Sequence, residues 1–334
     1  MARLTGFSRL LITLAIVAGL VFGVRYFFPN IGELGKNAPD NTTQTTDAVQ
    51  QESEPTSSSA SSVNPAAKFN PPPLNYTAPV PVGGKLKGVV ELGATGFNAF
   101  IVKIDAQKNW KLEKSEFGVS LVKEGLATDE DVKSGLKRYI SDMASFGVSP
   151  RDIHFVVSSG AQKEAIMPKI NSALKAMGYV VNIVTPEQEA TYGLKATLPT
   201  AYKSKGFVVD IGSGNTKISW NPNGAIELPG AKYYQNNVSA DNVYAEVKGK
   251  ASKVPANLRE TCFIIGGVPY ELAKQSRNGK ERFTVLKAPG DYKAEGAKQE
   301  AGLNIYSAIA TATGCKQFVF DWDANFTIGF LLGL

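Results

Sequence analysis

The chain has 334 residues, 43% hydrophobic and 20% charged, with 32 Gly, 18 Pro and a formal net charge of +6. That composition fills one large domain or two smaller ones, and it excludes wholesale disorder, a collagen-like fibre and a disulfide-dense scaffold. A single His, His154, argues against a His-rich metal site or a Ser-His-Asp triad, and 2 Cys cannot build a zinc-finger cluster.

In residues 1–28, Arg3, Arg9 and Arg25 accompany an uncharged, almost wholly apolar run from Leu10 to Val24. Counted from Phe7 to Phe28, with the flanking Arg side chains snorkelling outward, the stretch is long enough to span a membrane. A basic start before an apolar run also describes a signal peptide, but Arg25-Tyr26-Phe27-Phe28-Pro29 offers no small residues for cleavage. An uncleaved single-pass anchor is expected. Residues 29–80 are rich in Ser, Thr, Asn, Gln and Pro, cannot offset their chain entropy by burial, and read as a disordered tether. Arg3, Arg9 and the amino terminus outweigh Arg25 and Lys36, which places the soluble part on the extracytoplasmic, periplasmic side. The other basic residues are spread over 81–334 with no basic and aromatic run, so nucleic acid is not an expected partner.

From residue 81 the pattern is α/β. Gly88–Leu92 reads as a buried strand entering the turn Gly93-Ala94-Thr95-Gly96, and Ala99–Ile104 as the returning strand. Acids at Asp129, Glu130 and Asp131 start a helix whose apolar positions recur at helical spacing to Gly147. Ile153–Val157 reads as a strand, 163–177 as a helix despite Pro168, Val180–Val184 as a strand, and a short helix opens near Glu187. The opening theme then returns. Val208-Val209-Asp210-Ile211-Gly212-Ser213-Gly214-Asn215-Thr216 repeats the layout of Val89 to Thr95, and a strand, Lys217–Trp220, again follows. The distance between Glu91 and Asp210 fits a duplicated subdomain rather than a short repeat. A third glycine turn, Gly266-Gly267, follows the strand Cys262–Ile265; helix 297–313, strand Gln317–Phe320 and a glycine-broken tail from Phe326 to Leu334 come after it.

Glycine directly after a buried strand lets backbone N–H groups approach an anion closely, and an acid at the same strand end can hold a metal ion that neutralises phosphate charge. Two such hairpins facing across a cleft would clamp a phosphate chain from both sides. The bland alternative for each is a plain tight turn.

These turns resemble those of the actin, sugar-kinase and heat-shock-chaperone superfamily, and more closely the exopolyphosphatase / guanosine pentaphosphatase (Ppx/GppA) family. The resemblance covers about residues 86–334. It includes Gly125-Leu126, Phe146–Ala165, the segment Ile183–Ala190 and the ending Asp321–Gly333. It implies two ribonuclease-H-like subdomains, about 86–200 and 206–334, around a central cleft. It implies Glu189 as catalytic base, Glu91 and Asp210 as acids that hold Mg²⁺, and Gly93, Ala94, Thr95, Gly96, Gly212, Ser213, Gly214, Asn215, Thr216, Gly266 and Gly267 as the phosphate cradle. The implied activity is a membrane-anchored phosphoanhydride hydrolase, with in-line water attack on a terminal phosphoryl group. Expected partners are polyphosphate or a nucleotide polyphosphate, the membrane through the N-terminal helix, and a second copy of the chain in a homodimer.

Several positions depart from the family pattern. Glu91 replaces an Asp, Ala94-Thr95-Gly96 replaces Ser-Asn-Ser, Ser213-Gly214-Asn215 replaces Gly-Gly-Ser, Gln188 replaces a Glu and Lys217 replaces an acid. These changes leave open a non-catalytic binding member of the fold, or an actin-like ATPase of an assembly system. In the sheet that the resemblance implies, the strands of Cys262 and Cys315 are parallel neighbours, so the two residues are either bridged or free buried thiols.

Overall fold

The computed structural model describes residues 71–93, 97–118 and 129–334. The anchor expected at 1–28, most of the tether, and the loop residues Ala94, Thr95 and Gly96 lie outside the described residues. Among the described residues, no helix is long and apolar enough to cross a membrane.

The first half contains β1 (Lys85–Leu92), β2 (Phe97–Ile104), β3 (Trp110–Phe117), α1 (Asp129–Ser145), β4 (Ile153–Val157), α2 (Met167–Ala176), β5 (Val181–Ile183) and α3 (Pro186–Thr197). Its sheet has the order β3-β2-β1-β4-β5. The second half contains β6 (Gly206–Ile211), β7 (Asn215–Trp220), β8 (Gly224–Pro229), α4 (Ala240–Ala251), β9 (Thr261–Ile265), α5 (Gly267–Lys274), β10 (Phe283–Val285), α6 (Ala297–Thr313), β11 (Phe318–Asp321) and α7 (Phe326–Leu331). Its sheet has the order β10-β11-β9-β6-β7-β8. In each half an antiparallel meander is followed by parallel strands: β1 pairs antiparallel with β2 and parallel with β4, and β6 does the same with β7 and β9. The echo read in the sequence is therefore a structural repeat, and the fold is a duplicated, actin-like α/β architecture. Buried aliphatic runs on β1, β4, β6 and β9 suit central strands covered on both faces.

Several elements differ from the reading of the sequence. The third meander strands, β3 and β8, are half-exposed, β3 mostly polar and β8 a short Gly-Ala-Ile-Glu-Leu-Pro run broken by Glu227, so neither shows the unbroken apolar run that marks a central strand. Helix α2 starts at Met167 with Pro168 in its first turn rather than at 163; proline fits a helix start, where its missing N–H costs nothing. The expected tether reaches residue 80, yet residues 71–80 are partly docked. Leu74 and Tyr76 pack on the cluster of Leu198, Tyr202, Phe263 and Val319, and Gln317 Nε2 donates to the Pro72 carbonyl at 2.8 Å. Burial of those two apolar side chains offsets the ordering of this short segment.

Helix α7 follows the second sheet in sequence but joins the core of the first half, where Phe326, Ile328 and Leu331 pack with Val89, Phe100 and Val156. It lies so close to α3 that a Cβ on Gly329 would come within 1.8 Å of the Tyr192 carbonyl oxygen. Cys262 and Cys315 are both buried free thiols.

Candidate functional site

A cleft of about 400 Å³ opens where the carboxyl ends of β1 and β6 face each other, the place where open α/β sheets bind ligands. Glu91, Glu189, Asp210 and Lys217 lie in its wall, together with Gly93, Gly212, Ser213, Gly214, Asn215, Gly266 and Gly267. Among the expected cradle residues, Thr216 is fully buried and absent from the cleft wall. Strand alternation turns it away from the face that carries Asn215 and Lys217.

Glu189 reaches the cleft from the first turn of α3. Thr185 caps that helix: its side chain accepts from the Gln188 N–H at 3.2 Å, and Gln188 Oε1 accepts from the Thr185 N–H at 3.0 Å. Gln188 thus has a structural task, a reciprocal cap that fixes where the next residue points. Glu189 is 4% exposed. Its Oε2 accepts from the Ser159 backbone N–H at 2.8 Å and the Ser159 hydroxyl at 2.5 Å, while Oε1 forms a short ion pair with Lys217 Nζ. Asn215 Nδ2 donates to Ser159 Oγ at 3.1 Å and to Glu227 Oε1 at 2.7 Å, linking the second glycine turn to the first half.

The two acids at the strand ends sit in equivalent places. Glu91 pairs across its hairpin with Asn98, and Asp210 with Lys217. Glu91 Oε2 accepts from Asn98 Nδ2 and from Asn325 Nδ2, each at 3.0 Å. Loss of hydration raises the Glu91 carboxyl from its ordinary 4.5 to about 7; the two Asn hydrogen bonds resist this, and the charges of Glu189 and Asp210 add to it. Loss of hydration also raises Asp210 from 3.8 to about 6, against the pull of the Lys217 ammonium and with a push from Glu189. A fourth acid in the wall, Asp321, is held by Arg282 through two hydrogen bonds of 3.0 and 2.9 Å.

The glycines have distinct steric duties. Gly266 has φ +109°, and a Cβ there would meet the Ile211 carbonyl oxygen at 2.3 Å and Asp210 Oδ1 at 2.9 Å. A Cβ on Gly212 would meet the Asn215 carbonyl oxygen at 2.7 Å, which explains the tightness of the β6–β7 turn.

The donor set does not suit the Mg²⁺ implied by the resemblance. Of the two acids that the resemblance gives to Mg²⁺, Glu91 is held by the amides of Asn98 and Asn325 and Asp210 faces the Lys217 ammonium that also pairs with Glu189; Asp321 is neutralised by Arg282, and no group of three or more His, Cys, Asp and Glu among the described residues is arranged to hold a metal ion.

Sequence reasoning assigned no role to Asn98, Asn325, Ser159 or Lys298, all of them in or beside this cleft. Ser159 lies inside the stretch that carried the resemblance, and Asn325 inside the ending that did so. Their partners are distant in sequence, so only the fold brings them to the site.

No family model and no curated protein matches the sequence. Solved structures do. The type II variant of the Aquifex aeolicus Ppx/GppA phosphatase is 16% identical, with TM-score 0.55, and the match covers 75% of this chain and 99% of that one. A second structure of the Aquifex aeolicus family member is 16% identical with TM-score 0.54, covering 75% of this chain and 97% of that one. The fold is that of the Ppx/GppA phosphatases. An exopolyphosphatase-like protein shares it at 14% identity and TM-score 0.54, covering 75% of this chain and 97% of that one. In all three the match takes in most of the described residues.

Proposed function

We propose that this chain hydrolyses the terminal phosphoanhydride of a phosphate chain, either inorganic polyphosphate or a nucleotide polyphosphate. One observation carries the reading: Glu189, a buried carboxylate at the head of α3, opens onto a cleft walled by glycine turns at the carboxyl ends of both central strands. Backbone N–H groups of such turns receive phosphate oxygens, and Lys217 and Lys298 in the wall add positive charge. Glu189 orients a water and takes its proton as the water oxygen attacks phosphorus in line. The new P–O bond forms as the anhydride P–O bond breaks, and the shortened chain leaves with the bonding pair. Because Lys217 occupies Oε1, the arriving phosphoryl oxygens must first draw the ammonium towards themselves.

A second reading, a non-catalytic protein that binds phosphate chains, nucleotides or a protein partner, is favoured by the engagement of both Glu189 oxygens. The deciding experiment is phosphate release from polyphosphate, guanosine pentaphosphate and ATP, beside the Glu189→Gln variant. Release that vanishes in the variant supports hydrolysis. Binding by calorimetry without release supports the second reading. Release from ATP alone, coupled to polymerisation of the chain, supports an actin-like ATPase of an assembly system.

We further propose that residues 1–28 anchor the protein in a membrane with the catalytic part outside the cytoplasm, and that the chain forms a homodimer. Protease accessibility in intact and permeabilised cells tests the first, and light scattering of the purified protein the second.

A further inference from the structure

The expected metal and the observed lysine compete for one position. Lys217 projects from β7 directly across from Asp210, and its ammonium pairs with Glu189, with both side chains 5% exposed. The equivalent place in the first half holds uncharged Asn98, which donates to Glu91. The repeat thus supplies two acid hairpins but places a cation on only one of them, the one that faces the candidate base. A divalent ion held by Glu91 and Asp210 would lie against this ammonium at its Asp210 end and would have to displace it or sit beside it against charge repulsion. Lysine, unlike a metal, arrives with the fold, and its three N–H groups allow one to hold Glu189 while others meet phosphoryl oxygens.

We propose that Lys217 is the resident cation of the cleft, standing in the place of a divalent ion, so that phosphate chains bind there without a metal. The second clause rests on the phosphate-chain reading of the site. The first does not, since it concerns only what lies between Glu189 and Asp210.

The test uses the full chain in two measurements that do not depend on turnover. In the first, Mn²⁺ is titrated and followed by electron paramagnetic resonance. The wild type should leave the free-ion signal intact, and Lys217→Gln, which leaves the carboxylates without their cation, should take up Mn²⁺ and gain thermal stability from Mg²⁺. In the second, inorganic tripolyphosphate is titrated calorimetrically in EDTA and in Mg²⁺. The wild type should bind within about threefold in the two buffers, and Lys217→Gln should bind at least about tenfold more weakly in EDTA. Stoichiometric Mn²⁺ uptake by the wild type that is lost in Asp210→Asn overturns the proposal, as does tripolyphosphate binding that requires Mg²⁺. Both wild-type results stand even where the variant fails to fold. If tripolyphosphate binds in neither buffer, the phosphate-chain reading falls and takes the metal-free binding with it, while the Mn²⁺ titration still decides what Lys217 replaces.

Discussion

Lys217 occupies in the second half of the molecule the place that Asn98 occupies in the first: each is the direct cross-strand partner of the acid at the end of its central strand, Asp210 or Glu91. One repeat therefore answers its half-buried carboxylate with an amide and the other with a charge. The amide satisfies Glu91 locally, whereas the ammonium reaches past Asp210 to Glu189 and ties the second sheet to α3.

That tie gives a measurable coupling. Removing one partner of a buried ion pair leaves the other uncompensated, at a cost of about 3–5 kcal/mol. Lys217→Met and Glu189→Gln should each lower the unfolding free energy in urea, and the double variant should lose clearly less than the sum of the two. Additive losses would mean that the pair contributes no mutual stabilisation.

Protonation at Glu91 sets a pH dependence of stability. Its carboxyl titrates near 7 in the folded chain against 4.5 in its ordinary state, so between those values the native state binds more protons than the unfolded one. Its contribution to stability is then full below about 4.5, falls as pH rises, and is flat above about 7; Asp210 adds a similar fall between 3.8 and about 6. Glu91→Gln mimics the protonated form. It should raise the melting temperature more at pH 8 than at pH 5, and an equal shift at both would contradict this assignment.

The two glycines of the third turn should respond differently to alanine. Gly266→Ala forces a side chain onto a φ of +109° and into the Ile211 carbonyl, costing about 1–3 kcal/mol for the backbone alone. Gly267→Ala meets only the flexible end of Lys298 at 3.8 Å and should be tolerated. Thermal melts of the two variants check the contrast.

Helix glycines offer a second contrast. Gly249, within α4, has open space around it, so Gly249→Ala should stabilise the protein by about 0.5–1 kcal/mol. Gly329→Ala would collide with the Tyr192 backbone on α3. It should destabilise the fold and, by moving α3, reduce phosphate release. Unchanged release in a folded Gly329→Ala protein would show that the α3–α7 contact does not position Glu189.

Much of this architecture was legible in the chain itself. The buried strand β4, the helix α6 and both acid and glycine hairpins follow from periodicity and turn chemistry, because each is a local pattern. The meander edges β3 and β8 were not, since both are half-exposed and neither carries the unbroken apolar run of a central strand. Within the site, Glu189, Asp210 and most glycines could be read from their motifs, and Lys217 could be seen as a departure. What it does could not, because the Lys217–Glu189 pair joins β7 to the head of α3, and two motifs read separately do not reveal their distance. Thr216 shows the converse: its motif position suggested the cleft, but strand alternation sends its side chain into the core.

The route of α7 governs when the protein can first acquire its native form. Val89, Phe100 and Val156 emerge early from the ribosome, yet the helix that covers them emerges only after the whole second sheet. Until then the first half presents an uncovered apolar face, a target for chaperones and for self-association. The site inherits this delay, because α3 gains its packing partner only after the second sheet has been made. A cleft so built is completed only once both halves have been made, so the two halves mature as one event rather than in sequence.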